Sequence, residues 1–279
     1  MAEDESVMEF DNVLYEDVAD EDLLAEKMRR ESMSATEDSA NAPREWLAWA
    51  REGSAYLLRT LKRIKDAELS GDTLLPGWNR KMLVAHLGYN ARAIVRLTEW
   101  GRTGIRNPMY ENDHQRMDEI KSGATLNPAA LHNLVAHSVA QLDSAWRNLS
   151  DENWAAMVVS AQGRDIPVSE TPWMRAKEVW VHSVDLDKGG SFRDFPPELV
   201  DAIIPDVQGK WRLRGETPDI TLEITDRPGT DLEKIVIGAG GPVVRGIAAD
   251  VAQWLTGRGY KQLSRLEFPD GEVTIPRWF

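Results

Sequence analysis

A carboxylate and an imidazole sit at a spacing suited to one chemistry. In Glu178-Val179-Trp180-Val181-His182 the two groups are four residues apart, so a helix stacks them one turn apart on one face, close enough to share an ion. His86 lies in another helical stretch, where Met82, Leu83, Tyr89, Ala93 and Ile94 share its face, and its ring is expected to point inward. Two neutral imidazoles and one carboxylate suit zinc, and three protein ligands leave a fourth position open for water or substrate. Histidines hydrogen-bonded within a core would fit the same spacing, which does not choose between the readings. His114, His132 and His137 offer less, because the last two are five residues apart and do not share a helical face.

Two further features could carry chemistry. Arg258, held between Gly257 and Gly259, could present its guanidinium fork to a carboxylate, or could simply stand exposed at a helix C-terminus, where the helix dipole favours a cation. Gly240-Gly241-Pro242 could form an anion-binding helix entrance. Without a fuller glycine fingerprint, it reads rather as a plain turn with proline at a first helical position.

The elements that must position these residues can be read from periodicity. Pro43 suits a first helical position, and Trp46, Leu47, Ala50, Tyr56, Leu57, Leu61 and Ile64 recur at three-to-four spacing up to residue 65. After a loop through Pro76-Gly77, a second helix is expected over 79–100, closed by Gly101 and Gly104. A loop with a short helix covers 105–126, and Asn127 caps a third long helix to about residue 149. Residues 157–168 read as an irregular or hairpin connection, and Thr171-Pro172 opens a fourth helix to about residue 187, stopped by Gly189-Gly190. Beyond Phe195-Pro196-Pro197 the pattern changes. A helix is expected over 198–212, strands over 220–224 and 235–237, a helix over 242–256 and strand material over 266–275. The fold class is therefore α+β: a four-helix bundle over 43–195 and a smaller α/β domain over 196–279.

Composition narrows the function. The chain has 279 residues, 42% of them hydrophobic and 28% charged, the balance of a globular protein. It has no cysteine, which excludes disulfides, thiolate metal sites and cysteine nucleophiles, so any thiol chemistry needs a thiol from outside. Of the net charge of −13, residues 1–42 carry −11, from 14 acidic and 3 basic residues, which leaves −2 for the rest. Residues 1–42 read as an acidic, mostly disordered extension with one short helix near 20–31; a partner-binding tail or a natural start at Met33 are the alternatives. No basic stripe points to nucleic acid. No apolar run reaches the roughly 18 residues of a membrane span, and the acidic N-terminus is unlike a signal peptide, so a cytoplasmic protein is expected.

Several segments together resemble a known family. Pro76-Gly77-Trp78-Asn79-Arg80, Ala85-His86-Leu87-Gly88-Tyr89-Asn90-Ala91, Ala161-Gln162-Gly163-Arg164 and Ser169-Glu170-Thr171-Pro172-Trp173-Met174-Arg175, leading into Glu178 to Leu186, resemble the mycothiol-dependent maleylpyruvate isomerases. The likeness runs from about Pro43 to the closing Pro276-Arg277-Trp278-Phe279; the acidic extension and the loop lengths of the second domain depart from it.

The resemblance implies a DinB-like bundle that holds zinc through His86, Glu178 and His182, with Arg258 as catalytic residue and substrate anchor. It implies conversion of maleylpyruvate to fumarylpyruvate in gentisate degradation, with mycothiol as cofactor. A sulfur held as thiolate would add to the conjugated cis double bond, the resulting single bond would rotate, and elimination would give the trans isomer. The expected partners are a small-molecule substrate and a low-molecular-weight thiol, with no nucleic acid and no membrane, on a monomer. Two alternatives stand: a thiol S-transferase or hydrolase on the same fold, and a helical binding protein whose His and Glu are structural.

Overall fold

The computed structural model describes residues 37–112, 114–259, 263 and 265–278; the helix expected near 20–31 lies outside them. Four long helices form the first part: α1 (Arg44–Leu61), α2 (Arg80–Thr103), α4 (Pro128–Arg147) and α6 (Thr171–Asp185). The shorter α3 (Gln115–Gly123) and α5 (Asp151–Ala155) fill the connections, and β1 (Met157–Val159) pairs antiparallel with β2 (Asp165–Pro167) just before α6.

The helix starts follow from capping. The side chain of Asn79 accepts from the Met82 N–H at 3.0 Å, and that of Asn127 from the Ala130 N–H at 2.8 Å, each satisfying an orphan donor of the first turn. Gly104 ends α2 in the left-handed region at φ 72°, so the helix runs three residues past its expected end, straight through Gly101.

Packing sets α2 and α6 side by side. α1 packs on α6, α2 packs on α4, and α2 and α6 touch each other, which closes the bundle. Gly53 makes the α1–α6 approach feasible: a Cβ there would lie 2.5 Å from Val179 and 2.6 Å from Trp180. The indole of Trp180 donates to the Trp49 carbonyl at 2.9 Å and stacks on Tyr56. Arg80, buried at the start of α2, donates through Nε to the Leu186 carbonyl at 2.7 Å, pinning the first turn of α2 to the end of α6.

The second part begins with α7 (Pro197–Arg214), followed by β3 (Ile220–Ile224), β4 (Lys234–Ile237), β5 (Val243–Gly246) and α8 (Ala248–Leu255). The sheet order is β4-β3-β5, antiparallel between β3 and β4 and parallel between β3 and β5. Two expectations are corrected here. The stretch 242–256 is not one helix, because Val243–Gly246 pairs with β3 and only Ala248–Leu255 coils. Residues 266–275 contribute an isolated bridge, Arg245 with Glu267, instead of a strand. The Gly240-Gly241 pair therefore leads into a strand and not a helix entrance; a Cβ at Gly241 would collide with the Asp219 carbonyl. No described helix is long and apolar enough to cross a membrane.

Candidate metal centre

The bundle brings His86, Glu178 and His182 together. His86 is buried in α2 at 2% exposure, and Glu178 and His182 face it from α6. One ligand atom from each lies within 4.8 Å of the others. His86 Nε2 is 2.8 Å and His182 Nε2 is 3.3 Å from Glu178 Oε2, and the imidazole rings meet edge to face at 5.2 Å. Trp78 closes one side, its ring edge-on to His86 at 5.8 Å. His114 caps α3, and His132 and His137 lie on α4, outside the cluster.

The electrostatics of the metal-free cluster separate the two histidines. Burial lowers the pKa of His86 and keeps its ring neutral. Burial also opposes charge on His182, but hydrogen bonds to Asp185 and Glu178 outweigh it and push the pKa up to about 9. Burial alone would raise Glu178; the two imidazoles reverse this and hold its carboxyl well below the usual range. An anionic carboxylate and two imidazole nitrogens aimed at it form a donor set that fits zinc with a position to spare.

The fit extends one layer outward through a residue the sequence reading missed. Asp185, one turn after His182 and 0% exposed, accepts a hydrogen bond from His182 Nδ1 at 2.8 Å. A carboxylate on Nδ1 leaves Nε2 as the ligating nitrogen, the usual outer-layer arrangement around a metal-bound histidine. Asp185 also holds Arg258, which donates to it from Nε at 3.2 Å and Nη2 at 3.0 Å, while Nη1 donates to the Thr256 carbonyl at 2.6 Å. The guanidinium edge expected to meet a substrate is thus occupied by Asp185, although Nη1 and Nη2 each keep a second N–H. A carboxylate three residues after a helical histidine was the available signal; its pairing with an arginine 73 positions later left none.

All four predicted residues line one cavity of about 930 Å³. Its other walls include Tyr110, Asn90, Gln162 and Trp278, together with Arg106, Arg116 and Arg277. Tyr110 stays a neutral phenol, since burial pushes its pKa up to about 12. Arg116 makes no ion pair among the described residues and lies over the Trp78 ring with its Cζ 6.0 Å from the centroid. Arg106, Arg116 and Arg277 add positive charge to a wall that also holds the acidic Glu111, Glu178 and Asp185.

Comparison with known proteins finds relatives of the chain as a whole. Residues 50–187 match the family model for the mycothiol maleylpyruvate isomerase N-terminal domain. Two solved structures, the mycothiol-dependent maleylpyruvate isomerase and a histidine-to-alanine mutant of it, are each 39% identical. Each match has a TM-score of 0.77 and covers 84% of this chain and 96% of the other. No curated protein sequence matches significantly. The identity and its reach across both regions of the fold place the chain in the mycothiol-dependent maleylpyruvate isomerase family.

Proposed function

We propose that this protein isomerises maleylpyruvate to fumarylpyruvate, with zinc held by His86, Glu178 and His182 and with mycothiol as the thiol. The observation that carries the reading is the convergence of these three donors at a cavity shared with Arg258. When bound, the metal supplies Lewis acidity toward a thiol sulfur, and the thiol supplies a nucleophile whose reversible addition frees a conjugated double bond to rotate.

The chain's own residues do the rest. Asp185 fixes the tautomer of His182 and keeps its Nε2 turned toward Glu178. Arg258, steadied by Asp185 and by the Thr256 carbonyl, offers its remaining N–H groups to a substrate carboxylate. The absence of cysteine keeps the protein from competing with the external thiol. Arg116 and Arg277 add positive charge that favours a dianionic substrate.

The test is isomerisation of maleylpyruvate by zinc-loaded protein across a range of mycothiol concentrations. The reading expects a rate that depends on both thiol and metal. No isomerisation at any thiol concentration would overturn it, and thiol transfer to an electrophile panel in its place would establish an S-transferase.

A further inference from the structure

Arg175 stands out as a buried charge with no counter-ion bonded to it. It lies on α6 at 0% exposure, three residues before Glu178. Its Nη1 donates to the Leu87 carbonyl and to Asn90 Oδ1, both at 2.8 Å. Nε and Nη2 have no hydrogen-bond partner among the described residues. A buried guanidinium satisfied this poorly opposes folding, so its gain must lie in what it orients.

What it orients is Asn90. This residue follows His86 by one helical turn on α2, is 5% exposed and lines the same cavity. The two ends of a carboxamide look alike, but a guanidinium only donates, so the end that meets Arg175 is the oxygen. With Oδ1 committed to Arg175, the group left for the cavity is the Nδ2 amide, for which the described residues provide no acceptor. A neutral donor is thereby held in fixed orientation one turn from a candidate metal ligand.

We propose that Asn90 is a further catalytic residue, with Arg175 as its positioning residue: Asn90 Nδ2–H donates a hydrogen bond to the substrate carbonyl oxygen that gains negative charge during isomerisation. When a nucleophile bonds to the conjugated double bond, the displaced electron pair moves onto that oxygen. When the nucleophile leaves, the pair returns and re-forms the double bond. No proton changes hands at Asn90, and no oxidant or reductant is involved. A donor aimed where charge develops contributes mainly to the rate of the chemical step. The inference rests on the isomerase reading above.

The discriminating substitution is Asn90→Asp. If Asn90 only satisfied Arg175, a carboxylate would serve at least as well, because it would form an ion pair with the buried guanidinium. A catalytic donor, by contrast, would become an acceptor that repels the developing charge. Zinc-loaded Asn90→Asp and Asn90→Ala should keep the wild-type metal content and a KM for maleylpyruvate within about threefold, with kcat lowered about 100-fold. Asn90→Asp should also melt no lower than wild type. A kcat for Asn90→Asp within about threefold of wild type overturns the proposal, as does a loss of rate in both variants that merely follows lost metal. Should the Asp variant fail to fold, Asn90→Ala is judged by the same limits. An inactive wild type would remove both this inference and the isomerase reading, whereas an active wild type beside an active Asn90→Asp removes this inference alone.

Discussion

Replacing Asp185 by asparagine tests whether the outer layer of the centre is built as described. Its Oδ2 takes His182 Nδ1 at 2.8 Å and Arg258 Nη2 at 3.0 Å, and its Oδ1 takes Arg258 Nε at 3.2 Å. The better amide orientation keeps an oxygen at the doubly used position and sets its NH2 against the Arg258 Nε–H. One charge-assisted bond is then lost, at roughly 1.5–3 kcal/mol, and two others lose their ionic assistance, at roughly 1 kcal/mol each. The expected destabilisation of metal-free protein is therefore about 3.5–5 kcal/mol, read from urea unfolding near neutral pH. Loss of the carboxylate behind His182 should also weaken zinc binding about 10- to 100-fold in a chelator competition. The effect has a definite pH sign. Burial alone would raise the folded pKa of Asp185, but His182 and Arg258 bring it below the ordinary 3.8. Its contribution is thus present above about pH 4 and is lost as pH falls through the folded value, so wild type and variant should converge in acid. A destabilisation under about 1 kcal/mol, with zinc affinity within about threefold of wild type, would show that Asp185 does not support the centre.

Three further expectations follow from the same geometry. Because the metal-free His182 ring titrates at about 9 and must be neutral to ligate, zinc binding at pH 7.5 should release about one proton, seen by calorimetry in buffers of different ionisation enthalpy; no release would contradict the ligand assignment. Arg116→Gln should raise KM for the dianionic substrate about tenfold, with kcat within about threefold, and an unchanged KM would remove Arg116 from the binding surface. Asp206 accepts from Lys177 Nζ at 2.8 Å and from the indoles of Trp173 and Trp278 at 3.2 and 2.9 Å. Asp206→Asn should therefore cost about 3 kcal/mol in denaturant unfolding at neutral pH, and a cost below about 1 kcal/mol would show the pair to be weak.

Much of the bundle was legible in the sequence because its signals are local. Asn79 and Asn127 cap helices through bonds to residues three positions on, and Glu178 and His182 share a face by periodicity alone. The C-terminal elements were harder. Val243 and Val244 sit in a stretch that reads as helix, yet they lie in a strand because β3 supplies a parallel edge, and that pairing crosses some twenty residues of chain. Long-range polar contacts were invisible for the same reason. Arg175 reads as an ordinary helix cation until α2 is packed against it, and the Asp185–Arg258 pair joins elements that periodicity treats separately. The meeting of His86 with Glu178, 92 positions apart, was an inference from two inward faces and not a local signal.

Metal stoichiometry decides whether His86, Glu178 and His182 form a metal centre. Protein purified without chelator, loaded with zinc and dialysed should retain about one ion per chain by elemental analysis, while His86→Ala and Glu178→Gln, still folded by circular dichroism, should retain less than about a tenth of that. A wild type that holds no ion, or variants that hold as much as wild type, would show that these three residues do not form a metal site.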